Sequence, residues 1–215
     1  MREATPEAKN LHVVDGPLAR QKLKVLREEN TRTLEFRQAM KELALIMVAE
    51  AASAMPTNTV RIKTPLAETE VEEISRPVCL VPVLRAGLGM LEAALALLPE
   101  ATVGFMGLQR DEETAKPVEY YVNLPSNLEE YLVLVLDPML ATGGSLSATL
   151  SKLKEYGAAW ISCLHAVAAA PGVERVTNEH PDVNLYTAAV DPELDDNAFI
   201  VPGLGDAGDR LYGTL

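Results

Sequence analysis

Cysteine, tryptophan and histidine are scarce in this 215-residue chain, at two, one and three residues. Two cysteines make neither a disulfide framework nor a zinc site. Cys79 and Cys163 both lie inside apolar strand-like runs, where a thiol behaves as a small hydrophobe. His12, His165 and His180 have no acid or nucleophile at a diagnostic spacing, and His165, in an apolar run, reads as a core residue with its hydrogen bonds satisfied. No Ser-His-Asp, Cys-His or metal-ligand cluster is recognisable, and the Gly-x-x-x-x-Gly-Lys-Ser/Thr phosphate loop is missing, which argues against hydrolases and ATPases. No apolar run reaches the length of a membrane span, and the residues after Met1 lack the basic and apolar regions of a secretory leader. A cytoplasmic protein is expected. Cations are also few. With 19 Lys and Arg against 31 Asp and Glu, the net charge is -12, which opposes binding to nucleic-acid phosphates.

What is present is an ordinary globular composition, long enough for one domain with a full core. Residues 18–30 and 33–52 have helical spacing, the second with Thr33 as its cap and a stripe of Phe36, Met40, Leu43 and Met47 that suits packing. Residues 58–63 predict a short strand, followed by an acidic surface stretch to Ser75. From Arg76 onward buried runs alternate with amphipathic ones. Strands are predicted over 77–84, 101–108, 131–136, 160–169 and 184–190, and helices over 87–98, 145–156 and after Pro171. This alternation predicts an α/β fold, a mainly parallel sheet flanked by helices, with ligands outside the carboxyl ends of its strands. Asp195 and Asp196 read as a solvated acidic turn.

The most informative stretch is Val133 to Ser145, Val-Leu-Val-Leu-Asp-Pro-Met-Leu-Ala-Thr-Gly-Gly-Ser. A buried strand runs into a turn where Gly143 and Gly144 free consecutive N–H groups to converge on an anion. Thr142 and Ser145 add hydroxyl donors, and the next helix presents its N-terminus. Asp137 repels phosphate but accepts hydrogen bonds from sugar hydroxyls. An acid followed by a phosphate cradle suits a ribose 5-phosphate. A second loop, Pro82 to Gly89, looks like a dinucleotide fingerprint but has Glu92 where the third glycine belongs. Arg85, beside small Ala86 and Gly87, instead suits a diphosphate.

Taken together, 137–145 resembles the phosphoribosyl diphosphate (PRPP) signature of type I phosphoribosyltransferases, in its uracil phosphoribosyltransferase version. The resemblance runs from the helical N-terminus to Thr214. It implies that Asp137, Pro138, Met139, Leu140, Ala141, Thr142, Gly143, Gly144 and Ser145 bind PRPP, with Arg85 and Arg110 at the diphosphate and Mg²⁺ held mainly through PRPP. Pro138 departs from the wider superfamily, which has a second acid there, so no role of that acid carries over. Arg110 opens a polar segment, 110–125, predicted to be a protruding hairpin or lid. Its Lys116, Tyr120 and Tyr121 read equally well as a solvated or dimer-contacting hairpin.

The glycine-rich tail, 200–214, suits close backbone approach to a flat ligand. In the resembling family this segment binds uracil, which implies Ile200, Gly205, Asp206 and Ala207 here, with Asp206 also near PRPP. Main-chain N–H and C=O groups can match the acceptor-donor-acceptor edge of uracil and would set a donor against the amino group of cytosine. The implied reaction converts uracil and PRPP to UMP and diphosphate. Family members are commonly dimers or higher homo-oligomers, and some are activated by GTP. Two alternatives stay open: another free base as acceptor, or a regulatory nucleotide-sensing or RNA-binding protein on the same fold.

Overall fold

Leu132, Leu134 and Leu136 point to one side of a strand and Val133 and Val135 to the other, and all five are fully buried. A run apolar at every position needs cover on both faces, and helices supply it. The computed structural model describes residues 8–110 and 117–214, without the side chains of 108–110 and 117–120. In chain order the elements are β1 (Leu11–Val13), α1 (Pro17–Arg27), α2 (Thr33–Ala52), β2 (Thr57–Lys63), β3 (Glu68–Ile74), β4 (Val78–Pro82), α3 (Leu88–Leu97), β5 (Thr102–Val103), β6 (Phe105–Arg110) and β7 (Pro117–Asn123). They continue with β8 (Leu132–Leu136), β9 (Met139–Leu140), α4 (Gly144–Glu155), β10 (Trp160–His165), β11 (Val167–Ala169), α5 (Ala170–Glu179), β12 (Asn184–Thr187), β13 (Val190–Asp191), β14 (Glu193–Leu194), β15 (Ile200–Val201) and α6 (Ala207–Tyr212).

The main sheet has six strands in the order β1-β12-β10-β8-β4-β5, every pair parallel. One face packs on α1, α2, α3 and α6 through Phe36, Met40, Leu43 and Met47, the stripe predicted from spacing. The other packs on α4 and α5 through Leu146, Leu150, Val173 and Val176. From β4 the chain leaves through α3 toward one edge, and from β8 it leaves through α4 toward the other. The carboxyl ends of β4 and β8 therefore flank a topological switch point, where open α/β sheets form their ligand crevice. Among the described residues no helix is long and apolar enough to cross a membrane.

Several runs read as single strands are two. Residues 160–169 divide into β10 and β11 at Ala166, and 184–190 into β12 and β13 at Ala188 and Ala189. The chain after β8 breaks at Asp137–Pro138 and resumes as β9. The continuations β13, β11 and β9 form a second parallel sheet beyond the ends of the first. Pro138 has no N–H to donate to the ladder, so pairing is interrupted there, although its carbonyl still accepts from Val167 N–H at 3.1 Å. The 101–108 run is likewise β5 and β6. At the start of α2 the cap is Arg32 and not Thr33, which is already helical: the Glu35 carboxylate accepts the Arg32 backbone N–H at 3.2 Å.

Candidate active site

The two loops predicted to carry the chemistry sit side by side. Val83 N–H donates to Leu136 C=O at 2.9 Å, and Gly87 N–H turns back to Val83 C=O at 2.8 Å, so the loop after β4 lies against the end of β8. Only glycine allows this approach at 87. A β-carbon there would lie 2.2 Å from Leu136 O and 2.6 Å from Val83 N, both fixed backbone atoms. Gly87→Ala is expected to cost about 3 kcal/mol or more, as severe overpacking does. A urea-unfolding midpoint unchanged from the parent would refute that.

Asp137 is part-buried at the β8–β9 break. Desolvation pushes its carboxyl up to about 7, against a Met139 N–H that donates to Oδ1 at 3.4 Å and favours the ionised form. Its backbone is pinned from the neighbouring strand. Asp137 N–H donates to Leu164 C=O at 3.1 Å, and His165 Nδ1 lies 2.7 Å from Asp137 C=O. Burial pulls His165 down to about 4, so the ring is neutral, and with a carbonyl as partner Nδ1 carries the hydrogen. His165 is a core residue as expected, but not a fully satisfied one: Nε2 is buried without a partner among the described residues.

Gly143, at φ 75°, swings the chain from the Thr142 turn into α4, which starts at Gly144. Thr142 and Ser145 are exposed, and Thr142 Oγ1 accepts Gly144 N–H at 3.4 Å. Pro138 and Leu140 are buried, and Leu140 packs in the core beneath the second sheet, so within 137–141 it is Asp137, Met139 and Ala141 that face the cleft. The sequence had placed all five positions at PRPP. Strand alternation turns the other two inward.

The tail approaches from the opposite side. β14 and β15 form a short antiparallel hairpin whose turn is organised by Asp195, with Oδ1 accepting the N–H groups of Asn197 at 2.9 Å and Phe199 at 2.8 Å. This carboxylate was read as merely solvated. After Gly203 the chain crosses Gly205 and enters α6, where Asp206 caps the helix by accepting Asp209 N–H at 2.9 Å. A cleft of about 300 Å³ results, lined by Arg85, Asp137, Met139, Ala141, Ile200, Gly205, Asp206 and Ala207 among others. The diphosphate loop, the acid after β8 and the glycine-rich tail, spread over more than a hundred residues of chain, thus face one space. Arg110 ends β6, which pairs antiparallel with β7, so the first arm of this hairpin is 105–110 and precedes the 110–125 segment read from the sequence. Its side chain and those of Tyr120 and Lys116 lie outside the described residues, and Tyr121 is exposed.

The uracil phosphoribosyltransferase family model matches residues 13–214. The chain belongs to that family. Uracil phosphoribosyltransferases of Desulfitobacterium hafniense and Thermoanaerobacter pseudethanolicus are 48% and 46% identical to it, over 95% and 96% of this chain and 98% and 99% of theirs. A solved protein from Aquifex aeolicus superposes with a TM-score of 0.86 at 36% identity, covering 94% of this chain and 97% of that one. The adenine phosphoribosyltransferase of Trypanosoma brucei, at 13% identity, shares the fold with a TM-score of 0.58 over 88% of this chain and 86% of its own.

In this member of the uracil phosphoribosyltransferase family, the residues that hold the tail in place were not legible beforehand. Arg27, at the end of α1, makes two bonds to the Asp191 carboxylate, at 2.6 and 2.8 Å, and a third to Gly203 C=O at 2.9 Å. Asp191 also accepts Gly203 N–H at 2.9 Å. Arg210 donates to the C=O groups of Leu204, Leu26 and Glu28, the last of which also accepts Thr31 N–H at 3.2 Å, and its guanidinium is stacked 4.4 Å from the Phe36 ring centroid. Nothing in the spacing of 27, 191 and 210 marks them as partners. The one hint is that an acid and an arginine sit in otherwise apolar or glycine-rich surroundings.

Proposed function

We propose that the chain transfers the 5-phosphoribosyl group of PRPP to uracil, releasing diphosphate and forming UMP, and so salvages free pyrimidine base in the cytoplasm. The observation that carries this reading is the shared cleft, with Arg85 and Asp137 on one wall and the 200–207 segment on the other. The ionised Asp137 accepts ribose hydroxyls, and the 141–145 turn gives the 5-phosphate its N–H and hydroxyl donors. Arg85, with Arg110 from the hairpin, takes the diphosphate, and Ile200, Gly205, Asp206 and Ala207 present the base. Displacement at the anomeric carbon develops oxocarbenium-like charge, so orientation and stabilisation of the leaving group supply the catalysis.

The described residues contain no group of three His, Cys, Asp or Glu side chains able to hold a metal ion by themselves. Asp137 and Asp206 are the carboxylates that line the cleft, hard oxygen ligands of the kind that would hold a Mg²⁺ carried in on PRPP oxygens. When bound, the cation neutralises charge on the diphosphate. The direct test mixes protein, Mg²⁺, PRPP and each of a panel of free bases. Diphosphate and UMP should appear with uracil and not with cytosine or the purines; another preferred base, or no turnover, refutes the reading.

Homo-oligomerisation belongs to the same proposal, supported by the β2–β3 hairpin. Both strands are exposed along almost their whole length, including Ile62, Val71, Ile74 and, at the tip, Leu66. A lone two-stranded hairpin is marginal in water, so a second copy of the chain is the natural cover. Replacing Ile62 and Leu66 together with Asp is expected to shift sedimentation from dimer or larger to monomer. Activation by GTP, carried over from family members, is checked by measuring turnover with and without the nucleotide.

A further inference from the structure

Arg85 and α6 belong to different parts of the proposed site, yet they are bonded to each other. Arg85 Nη2 donates to Asp209 Oδ1 at 3.1 Å, and Tyr212 Oη donates back to Arg85 C=O at 3.2 Å. Gly208 lies beside the pair: a β-carbon there would come into ordinary contact with Nη2 at 3.5 Å and lie 3.2 Å from Asp206 Oδ1. The same Asp209 is tied to the base segment, because its backbone N–H bonds to the Asp206 carboxylate, and Thr214 Oγ1 donates to Asp209 Oδ1 at 2.6 Å. A continuous set of contacts therefore runs from the loop after β4, through Asp209, to Asp206 and Ala207 in the cleft.

We propose that Asp209 is a positioning residue that couples the diphosphate loop to the base-binding tail, so that diphosphate held by Arg85 and base held by the tail strengthen each other's binding. The inference rests on the function proposed above. A guanidinium has five donors in a rigid fork, and Asp209 engages only Nη2, leaving Nε and Nη1 without a protein partner among the described residues and available to an anion. Diphosphate on that free edge fixes Arg85 and, through it, Asp209 and the first turn of α6. The tail then has less freedom left to lose when the base arrives. By linkage the base must return the same factor to diphosphate.

Diphosphate with uracil is an unreactive pair, so the coupling can be read at equilibrium. Calorimetric titration of uracil into the full-length protein with Mg²⁺, with and without saturating diphosphate, is expected to show at least about a fivefold gain in affinity, the lower end of ordinary coupling. In Asp209→Ala the gain should fall below about twofold. Thr214→Val removes the hydroxyl bond to Asp209 but not the link to Arg85. It should keep the parent's coupling, which separates positioning from simple anchoring of the tail, and thermal melts confirm that each variant is folded. Uracil affinity that is indifferent to diphosphate, or lowered by it, in the parent overturns the proposal, as does full coupling in folded Asp209→Ala. Failure of uracil to bind the parent under any condition would instead overturn the functional reading.

Discussion

Asp137→Asn is expected to reduce turnover by about 10² to 10³ while making the unliganded protein more stable at alkaline pH. The activity loss is that of one preorganised electrostatic group facing the reacting sugar, about 3 to 4 kcal/mol in the barrier. The stability gain follows from the desolvated carboxyl. Its pKa is raised on folding from 3.8 to about 7, so the folded state prefers the proton more than the unfolded state does. Stability linked to this group is fully present below about pH 4, declines as pH rises through the window up to about 7, and is flat above it. A shift of that size sets a ceiling of roughly 4 kcal/mol. The side chain is part-exposed, so about 1 to 3 kcal/mol is expected after allowing for solvent screening. Urea unfolding should therefore find parent and variant alike near pH 4 and the variant more stable at pH 8. In kinetics, the parent's kcat/KM should rise with pH through a limb near 7 that the variant lacks. Equal stabilities at pH 8, or a retained limb, would show that this carboxyl is not the strained group of the site.

Asp191→Ala is expected to cost about 3 kcal/mol of stability and, in what remains folded, to weaken uracil binding from a distance. The carboxylate takes two bonds from Arg27 and one from Gly203 N–H, and is itself almost fully buried. Its loss leaves a guanidinium without its counter-ion and a buried N–H without an acceptor, the situation in which breaking a pair costs most. For a chain of this size the melting temperature should fall by roughly 6 to 12 °C. The double variant Arg27→Met with Asp191→Leu removes both charges and should recover part of the loss. A double variant no more stable than Asp191→Ala would mean that the damage is lost packing and not an orphaned charge. Because Arg27 also holds Gly203 C=O, tail and α1 loosen together in Asp191→Ala, and the uracil KM should rise even though no residue facing the cleft has changed.

Legibility in the sequence followed the range of the interaction. The Phe36, Met40, Leu43 and Met47 stripe, the double-sided burial of 132–136 and the glycine turn at 143–144 are local patterns, and each is present where spacing placed it. The strand interruption at Ala166 was missed because an apolar run looks the same whether its ladder is continuous or broken, and β9, two residues within the 137–145 turn, is too short to show a period. The Asp195 turn was missed because a carboxylate bonding to nearby N–H groups has the same composition as a solvated one. His165 was half legible: burial follows from its neighbours, whereas the unpartnered Nε2 depends on atoms from other strands.

By itself the chain determined which chemical groups are available and which elements carry them: an acid and a donor-rich turn after one buried strand, an arginine among small residues after another, and a glycine-laden tail. Those follow from side-chain period and backbone freedom, which act over a few residues. Only the tertiary structure decided that the three meet in one cleft, that Arg27 and Asp191 clamp the tail, and that Asp209 reaches Arg85. Such contacts depend on strand order and crossover direction, which set distances between residues far apart in the chain.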